Sequence, residues 1–125
     1  MRALEKIAFD AYAHRFGNVQ LPEFIRVVRA FDQVPIEVNG HVVGVVLFRG
    51  NELHTGVIPE YRGHVNWRSV MRNIVSPVLK RYGYVWTAVL NDNDAGIKFV
   101  ERLGFESIGQ YEEMTVYKLT RMNHA

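Results

Sequence analysis

The chain has 125 residues, 48% of them apolar and 22% charged, which fits one soluble globular domain spanning 1–125 and leaves too little chain for two self-sufficient ones. Fifteen basic residues against thirteen acidic ones leave a net charge of +2 with no block of like charges, so charge by itself does not argue for nucleic acid. The absence of cysteine excludes disulfides, thiolate metal ligands and cysteine nucleophiles.

No apolar run approaches the ~20 residues that span a bilayer, and the charged segment Met1 to Lys6 lacks the apolar core of a signal peptide. A soluble, cytoplasmic protein is the expectation. From Ala3 to Phe16, Leu4, Ile7, Ala8, Ala11 and Tyr12 recur at helical spacing, and Gly17-Asn18 supplies a stop. A second helix is predicted after Leu21-Pro22, with Phe24, Ile25, Val28 and Phe31 turned inward and Pro35 ending it.

The period then changes. Val34 to Val38 and Val42 to Phe48 read as strands of a hairpin, because Asn39-Gly40 suits a type I′ turn. A third strand is predicted over Glu52 to Ile58, with Glu52, His54 and Gly56 on one face and Leu53, Thr55 and Val57 on the other. A helix follows from about Asn66 to Arg81, in which Pro77 removes a backbone donor and predicts a kink or an early end.

Val85 to Leu90 reads as a strand, and Asn91 to Asp94 offers polar helix caps. A helix runs from Ala95 to Leu103, closed by Gly104, and Phe105 to Tyr111 and Met114 to Leu119 form the last two strands, with a turn at Glu112-Glu113. Strands flanking crossover helices predict an α/β fold with a parallel pair inside a mixed sheet.

A strand that runs into Arg62-Gly63-His64 and then straight into a helix places several amide donors, and the positive end of the helix dipole, at one spot. That arrangement suits a phosphate or pyrophosphate, with Arg62, Arg68 and Arg72 as reinforcing cations.

The string Gly56-Val57-Ile58-Pro59-Glu60-Tyr61-Arg62-Gly63 resembles the "V-x-P-E-Y-R-G" that ends the fourth strand of GCN5-related N-acetyltransferases. Asn93 to Phe105, read as Asn-Asp-Ala-Gly-Ile-Lys-Phe-Val-Glu-Arg-Leu-Gly-Phe, resembles the family's "N-x-A-A-I-x-F-Y-E-K-L-G-F" helix. The likeness runs from about residue 52 to 109. It implies a mixed, mostly antiparallel sheet flanked by helices, here without the family's first strand. It also implies acetyl-CoA as cosubstrate, with no metal, its pantetheine arm in a gap between the fourth and fifth strands and its pyrophosphate on the amides of residues 63 to 68. Val57 and Ile58 would line the arm, the turn Arg62, Gly63, His64, Val65, Asn66, Trp67 and Arg68 would hold the phosphates, and Asn93 would help hold the pantetheine. An amine substrate would attack the acetyl carbonyl directly.

The chain departs from the family pattern at Val65 and Trp67, where small residues let the backbone approach the pyrophosphate; the tryptophan either blocks the groove or points inward. It departs again at Val100, where many active members carry the tyrosine that protonates the departing thiolate. Glu52 and His54, on one face of the strand leading to the turn, are the candidate catalytic bases, against a solvated strand end and a cross-strand neighbour as their structural roles.

The histidines His14, His41, His54, His64 and His124 show no metal-ligand spacing, and Ser69, Ser76 and Ser107 sit on no nucleophile elbow. Lys80, Arg81, Tyr82 and Tyr84 form a small basic-aromatic cluster at the end of a helix. The expectation is therefore a CoA-dependent N-acetyltransferase. The alternative is a catalytically silent protein of the same fold with protein partners in an assembly, since compact, loop-degenerate relatives resemble head or internal virion proteins of tailed bacteriophages.

Overall fold

The computed structural model describes residues 3–16 and 20–122, with the side chains of residues 12–16 left undescribed. Two helices, α1 (Ala3–Phe16) and α2 (Leu21–Val28), precede the strands β1 (Asp32–Val38), β2 (His41–Arg49) and β3 (Glu52–Val57). A 3-10 turn (Pro59–Tyr61) leads into α3 (Trp67–Val70), a π turn (Met71–Val75) and α4 (Ser76–Tyr82). Then come β4 (Val85–Leu90), α5 (Asp94–Arg102), β5 (Glu106–Tyr111) and β6 (Met114–Leu119). The strands form a six-stranded sheet in the order β1-β2-β3-β4-β6-β5. β1 and β2, β4 and β6, and β5 and β6 pair antiparallel, and β3 and β4 run parallel at Glu52↔Trp86. Among the described residues no helix is long and apolar enough to cross a membrane.

The chain divides into two compact units, Met1–Gly50 with His54–Trp67, and Asn51–Leu53 with Arg68–Ala125. In the first, the predicted hairpin forms: Asn39 and Gly40 take φ of 52° and 82°, as a type I′ turn requires. Its second strand is buried on both faces from Val43 to Phe48, which explains its unbroken apolar run. The odd residues Val45 and Leu47 join Ala8, Ala11, Phe24 and Val28 in one core. There the rings of Phe9 and Phe24 meet edge to face at 5.5 Å.

Pro35 does not end a helix. Helix α2 stops at Val28 and Pro35 sits within β1, opposite Val45. β1 is an edge strand, where a missing backbone donor costs no ladder bond. The side chain of Tyr12 and the Gly17-Asn18 stop lie outside the described residues.

In the second unit, α4 and α5 pack on β4, and Val75, Val85 and Leu119 are fully buried. Pro77 neither kinks the helix to a stop nor shortens it. The π turn directly upstream, closed by the Ser76 amide on the Met71 carbonyl, widens the coil where the proline ring would crowd the preceding turn, and α4 continues to Tyr82. Gly83 and Gly104, at φ of 81° and 104°, end α4 and α5 in the left-handed region. The Phe105 amide then closes on the Val100 carbonyl at 3.0 Å.

Candidate functional site

The turn that follows β3 is built by short-range bonds. The amides of Tyr61 and Arg62 donate to the carbonyls of Ile58 and Pro59, and the His64 amide donates to Tyr61 at 3.0 Å. Pro59 presets the 3-10 turn, and Gly63, at φ of 84°, reverses the chain towards α3. A Cβ on Gly63 would meet nothing within 4 Å, and residues 62 to 64 are exposed, so the backbone here is open to an approaching ligand. His64's amide is spent inside the turn, and a helix begins at Trp67.

Val65 and Trp67 are half-buried, flanking exposed Asn66. Both side chains are thus partly covered by the protein. Arg68 and Arg72, exposed on the second unit, stand four residues apart along the helix.

Arg62 bonds to backbone on two elements. Its Nε donates to the Val57 carbonyl and its Nη2 to the Ala11 carbonyl, each at 3.4 Å, so the guanidinium ties the end of β3 to α1. Val57 is buried, and the Ile58 amide donates to Val43 on β2 at 2.9 Å, which anchors the strand end that leads into the turn.

His54, half-buried on β3, meets the Phe31 ring edge to face at 5.7 Å, and the Arg49 guanidinium lies 4.7 Å over the same ring. Glu52, buried at the start of β3, lies in the second unit, where the Trp86 amide donates to the neighbouring Asn51 carbonyl.

Asn93, also in the second unit, is the N-cap of α5: its side-chain oxygen accepts the Gly96 amide at 3.0 Å. Val100 is buried on the same helix. Tyr117, on β6, is buried as well, and that burial, with the Glu101 charge adding to it, holds its hydroxyl pKa above the ordinary tyrosine value. Among the described residues no group of three or more His, Asp or Glu is placed to hold a metal ion; the His14 side chain and His124 lie outside that description.

Two residues escaped the sequence reading. Glu5 is fully buried although it stands in the charged first turns, and Arg29 supplies its partner from beyond α2. The available signal was spacing: Glu5 stands three residues before Ala8, on the apolar side of α1.

No protein-family model and no curated protein matches the chain. Solved structures do. The chain is similar to the PaiA N-acetyltransferase of Thermoplasma acidophilum in complex with coenzyme A, with a TM-score of 0.73 at 12% identity over 94% of this chain and 91% of that one. It is similar to the ribosomal-protein-S18-alanine N-acetyltransferase of Escherichia coli, with a TM-score of 0.67 at 15% identity over 95% and 89%. A GNAT family acetyltransferase of Elizabethkingia anophelis with acetyl-CoA bound gives 0.61 at 9% identity over 79% and 82%. The chain thus has the fold of the GCN5-related N-acetyltransferases, beginning its sheet at β1, with no strand ahead of α1 among the described residues.

Proposed function

We propose that the chain is a CoA-dependent N-acetyltransferase that transfers the acetyl group of acetyl-CoA to an amine. The observation that carries this reading is the turn after β3: a Pro-initiated 3-10 turn, an open glycine with positive φ and a helix start, in a fold whose solved neighbours include CoA complexes. The residues fit the cosubstrate. The amides from Gly63 to Arg68, His64 excepted, would receive the pyrophosphate, Val57 and Ile58 would line the pantetheine arm, and the Asn93 amide group would hold its side.

Glu52 and His54 are the bases we assign to take the ammonium proton of the acceptor, directly or through water. The freed amine attacks the thioester carbonyl and the CoA thiolate leaves. Val100 has no proton to give, so the thiolate leaves as such or is protonated by water.

The test is the melting temperature with acetyl-CoA and with CoA. A ligand at about 100 times its dissociation constant stabilises the fold by roughly 2.7 kcal/mol, several degrees for a domain this size. A shift, followed by release of free CoA thiol when amines are supplied, supports the enzyme.

Val65, Trp67 and Val100 favour a second reading, a catalytically silent protein of this fold with an assembly role. No shift with either ligand selects it.

A further inference from the structure

The net charge of +2 hides a segregation. From Arg68 to Asn91, within the second unit, Arg68, Arg72, Lys80 and Arg81 are accompanied by no carboxylate. All four are exposed, and among the described residues none is paired with a carboxylate. Asp92, Asp94, Glu112 and Glu113 stand beyond the far end of β4, where the Asn91 amide donates to the Glu113 carbonyl at 2.8 Å. At the near end, where α4 stops and β4 begins, stand Lys80 and Arg81. Lys118 is there too, because β6 runs antiparallel to β4 and sets it opposite Trp86. The carboxylates of this end have cations of their own beside them: Glu106 stands directly opposite Lys118 on β5, and Glu101 adjoins Arg102 in the last turn of α5. Among the described residues no carboxylate offsets Lys80 and Arg81 in this way.

Two tyrosines share that end. Tyr82 and Tyr84 are 43% and 40% exposed, and each has a cation at its ring. The Arg81 guanidinium lies 5.5 Å from the centroid of Tyr82, and the Lys118 ammonium 4.7 Å from that of Tyr84. The loop that carries them is held by backbone groups. Gly83, at φ of 81°, closes α4 with its amide on the Leu79 carbonyl at 2.8 Å, and the Asn51 side-chain amide donates to the Tyr84 carbonyl at 3.3 Å. Tyr82 ends a helix, whereas Tyr84 leads into β4 with its cation on β6, so a ligand touching both rings passes over the end of the sheet.

We propose that this end of the second unit binds single-stranded nucleic acid, with bases stacked on Tyr82 and Tyr84 and phosphates on Lys80 and Arg81. Cations alone would suit any polyanion. Exposed rings beside them suit a polyanion whose charges alternate with flat π faces, and every base has such a face. Lysine and arginine on the last turn of a helix complement its dipole, which accounts for Lys80 and Arg81 but not for the two rings left in solvent beyond them. A loop already held by backbone bonds loses little freedom when a base stacks on it. Stacking needs unpaired bases, and a path over the end of a sheet needs a chain that bends, so the partner is a single strand and not a duplex. The proposal is independent of acetyl transfer, and its readout requires no cosubstrate.

Fluorescence anisotropy of labelled oligouridylate, oligothymidylate and a mixed-sequence DNA duplex, titrated with the full chain at low ionic strength, tests it; circular dichroism confirms that each variant is folded. The single strands are expected to bind about tenfold or more tightly than the duplex, and the tighter of the two says whether RNA or DNA is the source. The logarithm of the binding constant should fall with the logarithm of salt concentration at a slope of about −1.4, for two phosphates at about 0.7 each, and Lys80→Gln with Arg81→Gln should flatten it. Tyr82→Ala and Tyr84→Ala should each weaken binding about tenfold, whereas Tyr82→Phe and Tyr84→Phe, which keep the ring, should not. Absence of binding, a duplex bound as tightly, or alanine variants equal to wild type would each overturn the proposal. So would displacement by polyglutamate as readily as by unlabelled oligouridylate, which would mark a site for acidic peptides, and displacement by saturating acetyl-CoA, which would place the strand on the turn after β3.

Discussion

The carboxylate of Glu5, fully buried on α1, accepts two hydrogen bonds from the half-exposed guanidinium of Arg29, at 2.8 Å from Nε and 3.3 Å from Nη2. The hydrogen bond, and then the opposite charge, hold the arginine pKa above its already high value. The pair clamps the residue after α2 onto the first helix.

The two partners are not equivalent. Removing Arg29 takes these two bonds and the opposite charge from a buried carboxylate, whereas removing Glu5 releases an arginine that solvent can receive. Arg29→Met is therefore expected to lower the melting temperature more than Glu5→Met, and the double variant to lie above Arg29→Met alone. Thermal denaturation of the three variants checks the order.

Gly44 on β2 has no room for a side chain. A Cβ there would collide with the Gly56 carbonyl oxygen and stand 3.1 Å from the Val57 Cα, both on β3. Backbone cannot rotate away as a side-chain tip can, so Gly44→Ala should cost about 1–3 kcal/mol, read as a lower denaturant midpoint at unchanged slope.

Asn93 joins a demonstrated role to a proposed one. Loss of the cap in Asn93→Ala should cost about 1 kcal/mol, and Asn93→Ser, which keeps an acceptor oxygen, should recover most of it. If the amide group also holds the pantetheine, acetyl-CoA affinity falls in both variants. Melting and ligand titration on the same samples separate the two roles.

Tyr117 gives the fold a dependence on alkaline pH. Its folded pKa is raised by burial and by Glu101, so the folded state holds the phenolic proton more tightly than the unfolded chain. That stabilisation is complete below the ordinary tyrosine pKa of about 10 and is lost as pH rises from there through the folded value. Denaturant unfolding followed across that range should show stability falling, and Tyr117→Phe should flatten the tyrosine-linked part of the fall.

Substitution at Trp67 tests which way it points. Trp67 is half-buried, so part of it already faces the protein. Trp67→Gly should leave acetyl-CoA affinity within a few-fold of wild type while lowering stability through lost packing. A large gain in affinity would instead mean that the tryptophan obstructs the groove.

The parts of this protein that follow from the sequence by itself are those decided within a few residues. Asn39-Gly40 specifies its hairpin because both positions need positive φ, and Asn93 and Gly104 bracket α5 because a helix end needs an acceptor at one side and a left-handed residue at the other. The Pro59 to Gly63 string specifies its turn for the same reason.

Only tertiary structure decided the rest, because it depends on which distant groups come to share space. Pro35 reads as a helix terminator until β1 proves to be an edge strand, where its missing donor is harmless. Pro77 reads as a break until a π turn absorbs it. The bonds of Arg62 to the carbonyls of Val57 and Ala11 join residues far apart in sequence. Glu5 stands in the charged first turns, and it is buried with Arg29, 24 residues away in sequence, as its partner. Local chemistry sets φ, caps and periodicity; burial and partnership are set by the packing of whole elements, which the order of residues along one helix or strand does not contain.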